Sequence, residues 1–396
     1  MMQVSAQSIR RYRLWAHGLA ERRGKEHAVQ SAGACGMQNT PPGAWEASLF
    51  ARVQGLGPAD MNALLAPDKS LLQAWSLRGA PIVFPVGEAD VFLSALIPQA
   101  GEEWIYTRGI GLALDALGMP FDELLQSLMG VIPALDNETV HSKAALDQLL
   151  AEHMLPLIPP DKRDIWTSPS MYGQPDRQTV GGAVVSFLLR PCALLGLVVF
   201  GERRGSSPAF TSFKGWLGRP LTPRPEAVQL LVRRFVHCYG PATPRALAQW
   251  LGCTPAQARR MWAACAQEME AVQAEGKQAF ILSADREALA DPPAPQRPWL
   301  LLGPHDPYLD QRDRDILLPD KARQRRVWQT VSNPGAILHE GAIAGTWTAT
   351  KKAGGLTVRA ALWQDGPDAR QALSAQAEEY AAFRGLNLLD IDMDLT

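Results

Sequence analysis

The sequence has few cysteines, and they are not grouped. Five occur among 396 residues, and none belongs to a CxxC pair or to a cluster with histidines at metal-ligand spacing. They are Cys35, Cys192, Cys238, Cys253 and Cys265. The spacing therefore supports neither a disulfide framework nor a zinc site, and it favours a protein of the reducing cytoplasm.

Long apolar runs are also missing. A membrane-spanning helix needs about 20 apolar residues, whereas the longest candidate here, CALLGLVVF at 192–200, is typical of a buried strand. The opening residues, MMQVSAQSIRRYRLW, lack the apolar core of a secretory signal. The sequence thus predicts no membrane association.

Positive charge is not in excess, because 39 lysines and arginines face 40 acidic residues. Proteins that coat nucleic acid bind phosphates with basic side chains that displace counterions, so this balance argues against such a protein. The basic groups are clustered instead. The residues we select as candidate DNA contacts are Arg10, Arg11, Arg22, Arg23, Arg203 and Arg204. The alternative for each cluster is a solvated helix face or turn.

Familiar catalytic motifs do not occur: there is no glycine-rich nucleotide loop, HExxH or nucleophile elbow. The composition, 46% hydrophobic and 20% charged, is that of a soluble globular protein with a sizeable core. The length predicts two to four domains on the usual scale of about 100 to 200 residues each.

The clearest structural pattern lies between residues 225 and 284. Three amphipathic segments follow one another, and the second and third begin with Thr243-Pro244 and Thr254-Pro255, a helix N-cap followed by proline. Two strand-like segments joined by Glu275-Gly276 come next. Three helices and a hairpin predict a winged helix-turn-helix.

The same order recurs less clearly upstream. A strand near 82–86 is expected at a sheet edge because of Pro81 and Pro85. Further on, the segments TVGGAVVSFLL and LLGLVVFGERRG are interpreted as a strand pair. We therefore predict an α+β fold with tandem winged helix-turn-helix units at 1–104, 105–221 and 222–291.

The remainder of the chain, 297–396, follows the proline-rich DPPAPQRPW and is predicted to be a β-rich C-terminal domain. Glu340-Gly341 is a good hairpin turn. A terminal helix is expected from Pro367 to about Arg384.

An unusual corner stands at GMQNTPPGAWEASLFARV, residues 36–53, where Gln38, Asn39 and Thr40 precede two prolines and a helix. One interpretation is a capped turn in which Thr40 or Gly43 closes the entry to the helix. The other interpretation is a functional site built from these polar side chains.

Several blocks occur in a characteristic order: GMQNTPPGAWEASLFARV, AWSLRGAPIVFP, LLGLVVFGERRGSSPAF, YGPATPRALAQWLG, PHDPYLDQRDR and NPGAILHEGAIAGTW. Over nearly the whole chain they resemble the winged-helix DNA-binding family that includes the AlkZ and YcaQ DNA glycosylases. The resemblance implies a monomer that binds double-stranded DNA carrying alkylated purines or crosslinks. It implies excision of the alkylated base, with no cofactor and no metal.

The family's catalytic motif, Gln-x-Gln or Gln-x-Asp, aligns with Gln38 and Thr40, so that Thr40 replaces the second amide or carboxylate. An alkylated purine is already cationic, and a site need only hold water against the sugar and stabilise the positive charge that develops there. The resemblance thus implies that Gln38 holds the water and Thr40 shares it, while Asn39 points away. A hydroxyl is a poor base, so we expect a slow or narrow enzyme.

Two further residues are candidates for supporting roles. Trp45 follows the corner and could support a displaced base. Asp306 lies in PHDPYLDQRDR, where the alternatives are a helix cap and an interdomain salt bridge.

Two other classes of function stay open at the level of sequence. A non-catalytic winged-helix DNA-binding or regulatory protein would explain Thr40, and a small-molecule hydrolase is the third class. Release of a free base from alkylated DNA separates the glycosylase from both.

Overall fold

The computed structural model describes residues 1–173, 176–205, 207–364, 366 and 368–396. Within them the chain is α+β, with tandem winged helix-turn-helix units followed by a C-terminal β-rich region, as predicted. No helix of this described part is long and apolar enough to cross a membrane.

The first part of the chain contains β1 to β4 and α1 to α5. Their bounds are β1 Met2–Val4, α1 Ala6–Ala16, α2 Ala28–Gly33, β2 Met37–Gln38, α3 Ala44–Arg52, α4 Pro58–Leu65, β3 Leu71–Trp75, β4 Pro81–Pro85 and α5 Ala89–Phe92. β4 is the central strand of the order β2-β4-β3, so the expectation of an edge strand was wrong. Its two prolines stand at the strand ends, where a missing N–H costs the ladder least.

The second part contains β5 to β7 and α6 to α11. Their bounds are α6 Gly111–Leu117, α7 Phe121–Val131, β5 Val140–His141, α8 Lys143–Met154, α9 Arg163–Thr167, α10 Val180–Leu194, β6 Val199–Arg204, β7 Ser207–Thr211 and α11 Phe213–Leu217. The strand order is β5-β7-β6.

One predicted strand in this part is a helix. TVGGAVVSFLL forms most of α10, in which Thr179 caps the first turn by accepting a hydrogen bond from Gly182 N at 3.1 Å. α10 is buried along most of its length, and a continuous apolar run does not distinguish a buried helix from a buried strand. The segment that we expected to be one strand, 192–200, spans the end of α10 and the start of β6.

The third part confirms the predicted helix order. Its elements are α12 Ala227–Tyr239, α13 Pro244–Leu251, α14 Pro255–Ala263, β8 Met269–Ala274, β9 Lys277–Leu282 and α15 Arg286–Ala290. Thr243 accepts from Ala246 N at 3.2 Å, and Thr254 accepts from Gln257 N at 3.3 Å. The turn at Glu275-Gly276 has positive φ at both residues, as a tight hairpin requires.

β1 pairs with a strand far along the chain, whereas β2 to β4 form a separate sheet. It runs parallel to β8, with Met2 opposite Val272, and completes the sheet β1-β8-β9. The apolar side chains of α1 pack with this third part: Ile9 and Tyr12 join Ile281 and Leu289 in one buried cluster. The start of the chain therefore belongs structurally with the third winged helix, and the unit boundaries near 105, 222 and 297 stay predictions.

The C-terminal region is built on a five-stranded sheet. Its elements are β10 Trp299–Leu302, α16 Lys321–Val327, β11 Gly335–His339, β12 Ala342–Lys352, β13 Gly355–Leu362, α17 Ala369–Phe383 and β14 Leu388–Leu395, with the strands in the order β10-β11-β12-β13-β14. The hairpin turn at Glu340-Gly341 is confirmed by positive φ at both residues. The helix start expected at Pro367 lies outside the described residues.

α3 connects the polar corner to this sheet. Trp45 and Phe50 are buried in one cluster with Trp347 and Tyr380, and the rings of Phe50 and Tyr380 lie 5.4 Å apart. Burying one such side chain contributes about 1.5–3 kcal/mol. This packing fixes the direction in which the chain leaves the corner.

Candidate active site

The corner is a tight passage from β2 into α3. Gly36 has φ +71°, and a Cβ there would lie 2.6 Å from Ile82 Cγ2, so only glycine fits. Met37 and Gln38 then pair with Val83 and Ile82 of β4. Gln38 is consequently fixed at its backbone by the central strand of its sheet.

Asn39 closes the turn. Its Oδ1 accepts a hydrogen bond from Gly43 N at 2.7 Å, and its Nδ2 donates to Gln73 Oε1 at 2.9 Å. Gly43, at the N-cap of α3, has no capping side chain of its own. The capped-turn interpretation therefore applies to Asn39, whereas we had assigned the closure to Thr40 or Gly43.

The Gln38 side chain is held by an arginine that sequence reasoning did not select. Arg78 Nη2 lies 3.3 Å from Gln38 Oε1 and 3.0 Å from Asp310 Oδ2, while Arg78 Nη1 donates to Trp250 O at 2.7 Å. Arg78 has φ +56°, a strained conformation for a residue with a side chain. One guanidinium thus joins the corner, the third winged helix and the C-terminal region.

Asp310 forms the far end of this polar group. Burial raises the pKa of its carboxyl above the ordinary value, although Arg78 and then His305 act in the opposite direction. Burial also lowers the pKa of His305. Desolvation thus disfavours the charged form of both side chains. At Asp310 the Arg78 guanidinium acts against this effect by stabilising the carboxylate.

A cavity of about 580 Å³ adjoins the corner, and we call it the Thr40 cavity. Its wall includes Asn39, Thr40, Trp45, Gln73, Phe200, Arg203 and Trp216. Asn39 and Thr40 line this wall, whereas Gln38 does not. We had expected Thr40 to share a face with Gln38 and Asn39 to point away. The difference arises because Gln38 is still in the strand, while Asn39 turns inward to Gln73.

Trp45 and Arg203 therefore come together with the corner. Trp45 is only 1% exposed. Arg203 Nη2 donates to Asn62 Oδ1 at 3.0 Å and lies 3.5 Å from Glu46 Oε1. Arg204, its neighbour at the end of β6, is exposed.

The N-terminal arginines have partners elsewhere. Arg10 donates to Ile316 O at 2.9 Å, and Arg11 pairs with Glu340 at 2.8 Å. Arg22 pairs with Glu379 at 2.6 Å, and Arg23 donates to Gln30 Oε1 at 3.3 Å. These partners are outside the wall of the Thr40 cavity, and contact of the four arginines with DNA stays a prediction.

Asp306 is fully buried and forms a bidentate ion pair with Arg52, at 2.7 and 2.9 Å. Burial alone would lower the pKa of Arg52, but Asp306 raises it above the ordinary value. The pair links the end of α3 to the loop after β10. Both alternatives considered for Asp306 describe it, because its Oδ1 also accepts a hydrogen bond from Tyr308 N at 2.9 Å and so caps the short helical turn Pro307–Leu309.

One group among the described residues could hold a metal ion. His17 Nδ1, Cys35 Sγ and Cys238 Sγ lie within 4.8 Å of one another, and all three residues are buried. Burial raises the pKa of Cys35 well above its ordinary value, so without a metal this thiol stays protonated. The group lies apart from the wall of the Thr40 cavity.

Comparison with known proteins supplies independent findings. The family model described as DNA glycosylase AlkZ-like matches residues 32–383, which include the corner. A protein of Streptomyces sahachiroi named as an interstrand DNA cross-link repair glycosylase is 25% identical over 326 residues, 79% of each chain.

The solved structure of Streptomyces sahachiroi DNA glycosylase AlkZ resembles this chain with a TM-score of 0.74. The match covers 99% of this chain and 100% of the other at 23% identity. A likeness at this identity concerns the fold: the same succession of elements in the same arrangement.

Proposed function

We propose that this chain, which belongs to the AlkZ-like DNA glycosylase family, hydrolyses the N-glycosidic bond of alkylated, cationic purines in double-stranded DNA. The free base and an abasic site are the products, and no covalent intermediate with the protein forms. The observation that carries the proposal is the Gln38 side chain held by Arg78.

The contact with Arg78 determines how the Gln38 amide is oriented. A guanidinium only donates hydrogen bonds, so the atom that faces Arg78 Nη2 at 3.3 Å must be the amide oxygen. An amide oxygen has two acceptor positions, and Arg78 uses one. The second can accept a hydrogen bond from a water molecule, and the Gln38 N–H groups remain available to donate.

This arrangement suits the chemistry of a cationic purine. The leaving base needs no strong acid because alkylation has already weakened its bond to the sugar. The protein has to hold a water beside C1′ and to offer negative dipoles to the positive charge that develops on the sugar. The Gln38 oxygen supplies both functions, and the attacking water loses its proton to solvent as the bond is completed.

The Thr40 cavity is the proposed receiver of the displaced base. Its volume of about 580 Å³ lies within the usual range of small-ligand sites, about 300–1,000 Å³. Thr40 can donate and accept one hydrogen bond each, while Phe200 and Trp216 provide apolar surface. Trp45 supports this wall from α3.

Crosslinked DNA is a further proposed substrate. The Streptomyces sahachiroi relative carries that activity in its name. Arg203 and Arg204 lie beside or near the cavity and are proposed to contact backbone phosphates of the duplex, which the protein binds as a monomer.

A glycosylase assay on duplex DNA containing N7-methylguanine tests the proposal. Gln38→Ala should lower base release by roughly one to three orders of magnitude, the effect of removing one preorganised polar group. Thr40→Gln should raise the rate, because it restores the second amide of the family motif. Gln148→Ala changes an exposed glutamine of α8 and should have no effect.

Released base is measured by chromatography and DNA affinity by fluorescence anisotropy on the same preparations. The proposal requires that Gln38→Ala bind DNA nearly as well as the wild type. Equal release by the wild type and Gln38→Ala, or none by either, would show that the corner is a structural turn and the protein a DNA binder.

A further inference from the structure

Arg78 lines a second cavity in addition to contacting Gln38. This cavity has a volume of about 600 Å³, and we call it the Tyr106 cavity. Its wall includes Arg78, Trp104, Tyr106, Arg108, Phe187 and Thr254. The arginine that orients the Gln38 amide is therefore shared between the candidate catalytic corner and a pocket to which no role has been assigned.

Tyr106 is presented to this cavity in a strained conformation. Its φ is +62°, which is rare for a bulky aromatic residue, and 57% of it is exposed. Aromatic side chains of soluble proteins usually bury most of their surface. An exposed ring held at an unfavourable backbone angle suggests that the direction of the ring has a use.

The neighbouring loop is shaped around this ring. Gly79 follows Arg78 at φ +68°, and a Cβ on it would lie 2.5 Å from Tyr106 Cβ and 2.6 Å from Tyr106 Cγ. Any other residue at position 79 would thus displace the tyrosine. Gly79, which like the preceding Arg78 has positive φ, is the residue against which Tyr106 packs.

Two arginines lie near the ring. The Arg190 guanidinium lies 5.1 Å from the Tyr106 ring centroid and also 5.1 Å from that of Trp75. Arg108, 82% exposed at its side chain, is ion-paired with Glu103 at 3.3 Å, and both residues line the cavity. Arginines near an exposed aromatic ring are the combination with which proteins bind single nucleobases and their phosphates.

We propose that the Tyr106 cavity binds a nucleobase of the duplex other than the one released, stacked on the Tyr106 ring. This inference rests on the proposed function, since a base reaches the cavity only when duplex DNA lies across the corner. The base comes either from the position opposite the lesion or from the neighbouring nucleotide, and both present the same aromatic face. Occupation of the cavity holds open the space from which the alkylated base leaves.

Duplexes with 2-aminopurine, whose fluorescence changes on stacking, test the site. One duplex carries the probe opposite N7-methylguanine and another carries it on the 3′ side. Wild-type protein should change the fluorescence in one of them. Tyr106→Ala should abolish that change and weaken binding roughly 5- to 150-fold, the range for loss of one stacked base.

Two variants provide the matched comparisons. Tyr106→Phe retains the ring and should behave like the wild type. Leu112→Ala removes another exposed apolar side chain, 61% exposed and outside the wall of the cavity, and should also leave the signal unchanged.

The outcomes separate this inference from the glycosylase proposal. If base release fails in the wild type while the fluorescence still depends on Tyr106, the cavity is a nucleobase site of a DNA-binding protein. The inference is overturned if Tyr106→Ala gives the wild-type fluorescence with both probes, if it alters affinity alone, or if the wild type does not bind the duplex.

Discussion

Arg78 combines a strained backbone with contacts to three distant parts of the chain. Its guanidinium touches Gln38, the Trp250 carbonyl and Asp310, and its side chain also lines the Tyr106 cavity. A left-handed backbone conformation costs about 1–2 kcal/mol for a residue with a Cβ. The three contacts offset that cost and place the guanidinium where it can hold the Gln38 amide.

Replacing Arg78 with lysine should separate charge from geometry. Arg78→Lys keeps a cation but loses the planar fork that serves several acceptors at once. We expect kcat for base release to fall by roughly one order of magnitude or more, with a small change in KM, because the Gln38 amide loses its orienting donor. Steady-state kinetics at a series of concentrations of alkylated duplex DNA measure both quantities.

Arg359→Lys is the matched control, since Arg359 is an exposed arginine paired with Asp392 in the C-terminal sheet. It should retain wild-type kinetics. An unchanged kcat for Arg78→Lys, with normal thermal stability, would mean that Arg78 does not position Gln38.

At the residue scale the sequence indicated only half of this site. Gln38 and Thr40 stand in one short motif and could be selected from it. Arg78 is separated from Gln38 by 40 positions and from Asp310 by 232, so no local pattern joins the three. The LRG block contains Arg78 and the PHDPYLD block contains Asp310, but the spacing of the two blocks along the chain does not indicate that these residues are in contact.

Among the elements, the third winged helix is tied together by a glutamate in the turn between α14 and β8. Glu268 accepts hydrogen bonds from Arg233 at 2.7 and 2.9 Å and from Gln229 at 2.6 Å, both on α12. The hydrogen bonds from Arg233 lower the pKa of Glu268 to about 2. This contact joins the hairpin to the first helix of its unit.

The lowered pKa predicts how stability responds to acid. A carboxyl with a depressed folded-state pKa stabilises the protein above its unfolded pKa, and that contribution is lost as the pH falls. Glu268→Gln should therefore lower the free energy of unfolding at pH 7 by about 1 kcal/mol, a modest figure because the pair is partly solvated. The deficit should shrink between about pH 4.5 and pH 2.

Urea denaturation at a series of pH values measures this difference. Glu287→Gln alters an exposed glutamate of α15 and should match the wild type throughout. A deficit that stays constant from pH 7 to pH 3 would contradict the assignment.

The elements differ in how well the sequence indicated them. Two helices of the third winged helix, α13 and α14, carry Thr-Pro starts, which are local signals and were sufficient. α10 is buried almost throughout from Val180 to Leu194 and has no polar face. Its sequence therefore lacks the alternation of apolar and polar residues that marks a helix at the surface. The central position of β4 depends on β2, a strand of two residues, which is too short for any pattern to indicate.

The molecule as a whole uses many of its cations internally. Arg22 is 11% exposed at its side chain, pairs with Glu379 and lies 4.2 Å from the centroid of the Phe50 ring. Arg52 and Arg13 are almost completely buried in ion pairs. The net charge of −1 therefore hides a difference between structural arginines and exposed ones such as Arg204.

That difference predicts that replacing two arginines of the proposed DNA-binding set will change two different properties: DNA binding for Arg204 and stability for Arg22. Arg204→Ala should weaken duplex binding uniformly across sequences and reduce the slope of log K against log salt by about one. Arg22→Ala should lower thermal stability, because Glu379 loses its ion-pair partner and the Phe50 ring loses the guanidinium that packs over it. Anisotropy titrations at several salt concentrations and thermal melts measure these effects.

The two measurements act as controls for each other. Arg204→Ala should melt like the wild type. A salt slope that Arg204→Ala leaves unchanged would remove this residue from the DNA interface.

The parallel pairing of β1 with β8 has a consequence while the chain is being synthesised. Met2 meets Val272, so about 270 further residues must leave the ribosome before β1 can find its partner. At the usual rate of roughly 5–20 residues per second, this segment waits roughly 14 to 54 s. During that time Val4, Ile9 and Tyr12, all buried in the finished protein, lack the side chains of Val272 and Ile281 that join them in one buried cluster. The residues of β1 and α1 are thus made long before their partners and complete their packing late, and a chaperone that holds apolar segments would find a target in them.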